Sequence, residues 1–232
     1  MPVTATHLTH DKSESGAASY NTASITPTAN SLVLLTVFTQ ENNAPSSISG
    51  NGLTWVLVDS AGWSDEWLFM WTYRAMGASP SAGAVTINFS PSLSYYCAWA
   101  IDEFANVDTS GSNGSGAIVQ SVDATNAGGG GSLSITLAAF GSTNNATYGT
   151  FQGGGASQHL VEGSGFSALC PEFESSVTYT KHAITEFRND NDTTVDVTGA
   201  WRIIGVAAEI KYSAGATQSI VPILNSYRQR RN

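Results

Sequence analysis

The stretch from Asp65 to Arg74, Asp-Glu-Trp-Leu-Phe-Met-Trp-Thr-Tyr-Arg, limits the fold of this chain more than any other. Side chains of a strand alternate between its faces. Read with period two, one face carries Trp67, Phe69, Trp71 and Tyr73, and the other Leu68, Met70, Thr72 and Arg74. A strand that is aromatic on one side and mostly apolar on the other needs cover on both. That predicts a place inside a sandwich, or a strand lining an aromatic binding surface.

Similar signals recur along the chain, separated by Gly, Pro, Asn and Ser clusters. Ser31 to Thr39 is apolar on both faces, and Leu53 to Asp59, Trp67 to Ala75, Ala84 to Phe89 and Tyr95 to Phe104 complete a first half. A second half runs through Ile118 to Val122, Leu133 to Leu137, Thr147 to Phe151, Val177 to Thr180, Ala183 to Arg188, Thr194 to Val197 and Arg202 to Lys211. No segment sustains a 3.6-residue period with caps, so any helix should be a single turn. The expected fold is all-β, a jelly-roll-like antiparallel β-sandwich over residues 19–213. A separate N-terminal segment (1–18) and an extended C-terminal arm (214–232) flank it.

The two halves echo each other. Ser31-Leu-Val-Leu-Leu resembles Ser132-Leu-Ser-Ile-Thr-Leu. Tyr73-Arg74 before Val85-Thr-Ile resembles Phe187-Arg188 before Thr194-Val-Asp-Val, and Ala98 to Phe104 resembles Gly205 to Ile210. Duplication and shared core demands both account for this, and either makes the halves partners in one sandwich.

Charge excludes one function class. The formal net charge is −9, with only 12% charged residues, so a nucleic-acid binder, which needs a basic patch to displace counterions, is not expected. The N-terminus has neither a basic nor an apolar leader region, and no apolar run approaches the ~20 residues of a membrane span. A soluble protein made in the cytoplasm is the expectation. Cys97 and Cys170 are too few for a disulfide framework and read as free thiols.

Catalytic candidates are weak. Asp102 and Glu103 are adjacent and point to opposite faces, whereas Glu103 and Glu209 hold echo positions and could meet across a sheet as a carboxylate pair. His7, His10, His159 and His182 show no metal-ligand spacing, and His7 and His10, three positions apart in a terminal segment, read as polar surface. Cys170, next to Pro171, reads as an inert thiol. Asn189-Asp-Asn-Asp192, followed by Asp196, supplies oxygen ligands but lacks the Gly and distal Glu of an EF-hand, and ordinary turn chemistry accounts for it. No enzyme, cofactor or metal is expected. The aromatics Trp63, Trp67, Trp71 and Tyr73 form either core or a platform for sugar rings.

Three segments, Thr22-Ala-Ser-Ile-Thr-Pro-Thr-Ala-Asn-Ser-Leu-Val-Leu-Leu, Ser49-Gly-Asn-Gly-Leu-Thr-Trp and Ser81-Ala-Gly-Ala-Val-Thr-Ile, resemble β-sandwich structural proteins of tailed phages. The resemblance continues through Ala100 to Asp108 and spans roughly Ser19 to Phe151. It implies a non-enzymatic virion protein, head decoration or cement first and a tail-fibre or appendage subunit next, partnered by capsid or tail subunits and by copies of itself. A carbohydrate-binding module that takes a surface glycan is the alternative. The arm carries Ile220, Ile223, Leu224 and Tyr227, followed by Arg228, Arg230 and Arg231. Apolar anchors ahead of arginines suit docking on a neighbouring subunit with a carboxylate rim.

Overall fold

A computed structural model of the protein describes residues 2–126, 128–155 and 159–214. Among them the chain is all-β and antiparallel, with two single-turn 3₁₀ segments, Ser64–Glu66 and Ser115–Ala117. The first half contains β1 (Thr4–Ser13), β2 (Ser19–Asn21), β3 (Leu32–Thr39), β4 (Ser47–Ser49), β5 (Val56–Trp63), β6 (Leu68–Ala75), β7 (Thr86–Asn88) and β8 (Cys97–Ala105). The second contains β9 (Ile118–Thr125), β10 (Ser132–Thr136), β11 (Ala146–Gly154), β12 (Val161–Glu162), β13 (Ser167–Ala168), β14 (Phe173–Ser176), β15 (Lys181–Arg188), β16 (Thr194–Thr198) and β17 (Arg202–Ile210).

Each half folds into its own two-sheet sandwich. In the first, a long sheet β1-β8-β3-β6-β5 faces a short sheet β2-β7-β4. In the second, β13-β15-β11-β17-β9, with β14 also on β15, faces β10-β16-β12. The two strand orders correspond throughout, with β1 matching β9, β3 matching β11 and β8 matching β17. In both halves the order 1-8-3-6 opposes 2-7-4. The fifth strand of the first half hangs on the sixth at the edge of the long sheet, where an eight-stranded jelly roll would use it to complete the short one.

The two long sheets then pack against each other, giving four layers. This corrects the expectation that the halves would pair within one sandwich, and it explains why β3 is apolar on both faces. Val33, Leu35 and Val37 pack with Tyr20, Val85 and Ile87 under the short sheet. Leu34 and Phe38 point the other way, into clusters shared with Tyr148, Ile204 and Val206 of the second half. Burying a side chain of this size contributes about 1.5–3 kcal/mol. An approximate two-fold relation links the halves, since β5 packs beside β9 at one corner and β1 beside β14 at the other.

Two further corrections concern the chain's beginning and its aromatic strand. Thr4–Ser13, expected to lie outside the sandwich, is an edge strand of the first long sheet, paired along its length with β8. The aromatic strand starts at Leu68, because Trp67 takes a left-handed φ of 56° after the 3₁₀ turn and leaves the alternation.

Candidate functional site

The corner between β1 and β14 gathers the chemistry. The chain has four histidines, and all four lie in two clusters beside the segment Cys170 to Glu174. One cluster is His7, His10 and Cys170, and the other is His159, Glu172 and His182. In each, three potential ligand atoms lie within 4.8 Å of one another.

A β-bulge builds the first cluster. His7 pairs with Asp102 and His10 with Ala100, while the register slips between His7 and Thr9. Leu8 is therefore the extra residue. It packs toward the core of its own sandwich, and both histidines emerge on the face turned to the second half. Cys170 arrives from that half, in the core cluster between the long sheets, its backbone held by Thr185 Oγ1 at 2.9 Å. The ring of His10 lies against Phe173, with centroids 4.7 Å apart.

Behind His7 stands Asp102, a fully buried carboxylate. Its Oδ1 lies 2.8 Å from His7 Nδ1, and its Oδ2 accepts the hydroxyl of Tyr148 at 3.1 Å. A carboxylate accepts, so His7 donates to it from Nδ1 and turns Nε2 toward His10. That nitrogen is 2.9 Å from His10 Nδ1. Burial, and next the neighbouring His7, hold His10 below the ordinary imidazole range.

Cys170, His7 and Asp102 have the residue types of a nucleophile, a base and an orienting acid. The environment argues against that use. The thiol is buried, and burial together with the Asp102 charge pushes it well above the usual thiol range. A reactive thiol needs an electropositive, partly exposed setting.

In the second cluster the Glu172 carboxylate bridges two imidazoles. His159 Nδ1 lies 3.0 Å from Oε2, and His182 Nδ1 closely contacts Oε1. His182 is buried and His159 exposed, with the rings edge to face. Both carboxylate oxygens are thus occupied within the triad.

No protein-family model, curated protein or solved structure matches this chain.

The remaining candidates are scattered. Trp63, Trp67, Trp71 and Tyr73 do not form one platform. Trp63 pairs with Leu68 and packs toward the second half, beneath the Arg202 guanidinium at 5.5 Å. Trp67 sits outside the strand against Tyr95. Trp71, 6% exposed, stacks on Phe69 with centroids 6.3 Å apart, on the face opposite Leu68 and Met70. Tyr73 is half-buried on that same face.

Glu103 and Glu209 do hold equivalent positions, but on different long sheets, each turned toward its own short sheet. Glu103 accepts from Thr28 N, and Glu209 from Asn145 and Gln120. They cannot act as a pair. In the Asn189–Asp192 turn, Asp190 and Asp192 both bind Arg188, at 2.6 and 2.7 Å, and cap backbone amides. A guanidinium stands where a cation would. The arm residues Ile220, Ile223, Leu224, Tyr227, Arg228, Arg230 and Arg231 lie outside the described residues.

Sequence reasoning missed His7, His10, His159, Glu172 and His182 as a group. The only available signal was that Cys170 and Glu172 flank a proline in a loop. The partners come from other strands.

Proposed function

We propose that this chain is a non-enzymatic structural subunit of a virion, most closely of the head-decoration kind and next a tail appendage. The observation that carries this reading is the doubled sandwich. Two equivalent sandwiches bury their long sheets against each other, forming a four-layer block whose outer layers are the short sheets. Exposed positions of those sheets, such as Ser47, Ser49, Ser132 and Ser134, are small and hydroxylic, as suits a subunit packing among others. The resemblance of Thr22 to Leu35 and Ala100 to Asp108 to tailed-phage sandwiches supports the same class. The arm from Ser219 to Asn232 supplies the attachment in this reading, and partners are capsid or tail subunits and further copies of the chain.

The glycan-binding alternative needs Trp63, Trp67, Trp71 and Tyr73 on one platform and is disfavoured, because Trp63 packs toward the second half and Trp67 sits outside the strand against Tyr95. Particles purified from producing cells should contain the chain in fixed copy number, visible by electron microscopy as ordered density on the head. A chain lacking residues 219–232 should fold but no longer join the particle. Absence of the full chain from the particles overturns the proposal, and undiminished incorporation of the truncated chain removes the arm from it.

A further inference from the structure

We propose that His7, His10 and Cys170 form a binding site for a divalent metal ion of the zinc class, with Asp102 as the positioning residue behind His7. The inference stands apart from the virion reading, because it rests only on the corner between β1 and β14.

The donor set is two imidazole nitrogens and one sulfur, the borderline-soft combination that zinc and its neighbours prefer over calcium or magnesium. The three atoms already lie within 4.8 Å of one another. Around a tetrahedral zinc, with bonds of about 2.0–2.3 Å, donors sit roughly 3.3–3.8 Å apart, so closure needs movements on the order of 1 Å. The exposed His10 ring can supply most of that movement.

Orientation is the stronger argument. Ligating histidines usually give their second N–H to a carboxylate, which fixes the tautomer and raises the basicity of the ligating nitrogen. His7 does this at 2.8 Å with Asp102, whose other oxygen takes the Tyr148 hydroxyl. The carboxylate is fully buried, and the protons it accepts come from one tyrosine and one imidazole. Burying an ionised carboxylate is costly without positive charge nearby. A divalent ion on His7 Nε2 supplies that charge one ring away. In the second cluster the one carboxylate, Glu172, contacts both imidazoles and is itself a candidate ligand, so it cannot at once ligate and stand behind His159 and His182.

The balance of the binding step is simple. The thiol of Cys170 loses its proton to solvent as the metal–sulfur bond forms. His10 then carries its proton on Nε2, and the hydrogen bond between the two imidazoles gives way to two metal–nitrogen bonds. The fourth position is left to water from the cleft of about 250 Å³ between His10, Lys12, Phe173 and Glu174.

The fold's approximate symmetry makes the site singular. At the other corner, β9 places Ser121 and Asp123 opposite Ala208 and Val206, where β1 has His7 and His10 opposite Asp102 and Ala100. The equivalent corner of the second half thus lacks the residues that would bind a metal.

Cobalt(II) is the probe, because a cysteine ligand gives a near-ultraviolet thiolate-to-cobalt charge-transfer band and tetrahedral cobalt gives intense visible bands. Full chain stripped with chelator should develop both at one equivalent, and zinc should abolish them by displacement. Cys170→Ser should lose the charge-transfer band, and His10→Ala, at an exposed position that leaves the core intact, should weaken binding at least 100-fold. Asp102→Asn should weaken it roughly 10–100-fold. Glu172→Gln and His182→Ala should leave both bands unchanged. A folded wild-type chain that develops neither band in excess cobalt overturns the proposal. So does a charge-transfer band that survives Cys170→Ser, or binding that disappears with Glu172→Gln and persists in His10→Ala.

Discussion

His7 and His10 share one face of β1 although they lie three positions apart in the sequence. Their Nε2 and Nδ1 atoms are 2.9 Å apart. In a regular strand, positions three apart point to opposite sides. Leu8 absorbs the extra residue, so the pleat resumes with His10 opposite Ala100, beside the pairing of His7 with Asp102. A single bulge thus turns two surface imidazoles into one cluster aimed at the second half of the molecule. Deleting Leu8 removes the extra residue and leaves His7 and His10 two positions apart in a regular strand, so both should stay on one face. Persistence of the imidazole–imidazole hydrogen bond, followed by histidine nuclear magnetic resonance in the folded variant, is the expected outcome, and its loss would refute the assignment of Leu8 as the bulged residue.

Tyr148 and Asp102 join the two halves through a buried hydrogen bond at 3.1 Å. Tyr148→Phe leaves the carboxylate one donor short and should cost about 1–3 kcal/mol in denaturant unfolding. A double-mutant cycle with Asp102→Asn should show coupling between the two sites. Additive effects would mean that the bond does not contribute across the layers.

Trp71 is nearly covered and stacked on Phe69, so it acts as core. Trp71→Ala should cost roughly 3–5 kcal/mol through the cavity it leaves. A Trp71→Ala protein as stable as the parent would show instead that the face is open.

Glu186 is buried, with one oxygen on Gly163 N and the other without a partner among the described residues. Burial, reinforced by Asp196 and Glu162, raises its pKa to about 8 against the downward pull of the Gly163 hydrogen bond. The folded state therefore holds a proton that the unfolded state has released above its ordinary carboxylate pKa. Protonated Glu186 favours folding at low pH, and that contribution declines as pH rises toward about 8. Glu186→Gln should flatten the decline and leave the variant more stable than the parent at pH above about 8, by on the order of 2–4 kcal/mol. Parallel stability–pH curves for the two proteins would refute the assignment.

The halves should not stand alone. A fragment ending before Ile118 would expose Leu32, Leu34, Phe38, Met70 and Phe104, all buried between the long sheets. Such a patch drives association. Each fragment should aggregate when made alone and form a soluble complex when the two are made together, as size-exclusion chromatography would show. A monomeric, soluble first half would mean that the interlayer packing is dispensable.

Alternation and turn residues alone marked the all-β class, the two-faced burial of Leu32–Thr39 and the strands around Met70, Ala100 and Val206, because strand periodicity and Gly, Pro and Asn chemistry act over a few residues. The echoes of β6–β7 with β15–β16 and of β8 with β17 were legible for the same reason. The pairing of Ser31-Leu with Ser132-Leu misled: the partner of β3 is β11, whose Thr147, Gly149 and Gly153 disguise the match. Gly149 is small because Val195, Phe151 and Glu186 close over it, a demand set by neighbours distant in sequence. The back-to-back packing of two sandwiches was likewise invisible, since a strand covered on both faces does not reveal what covers it. The histidine corner needed more still. A bulge, an edge strand from the first residues and a loop from the second half meet there only after both sheets have stacked, and no spacing along the chain encodes that distance.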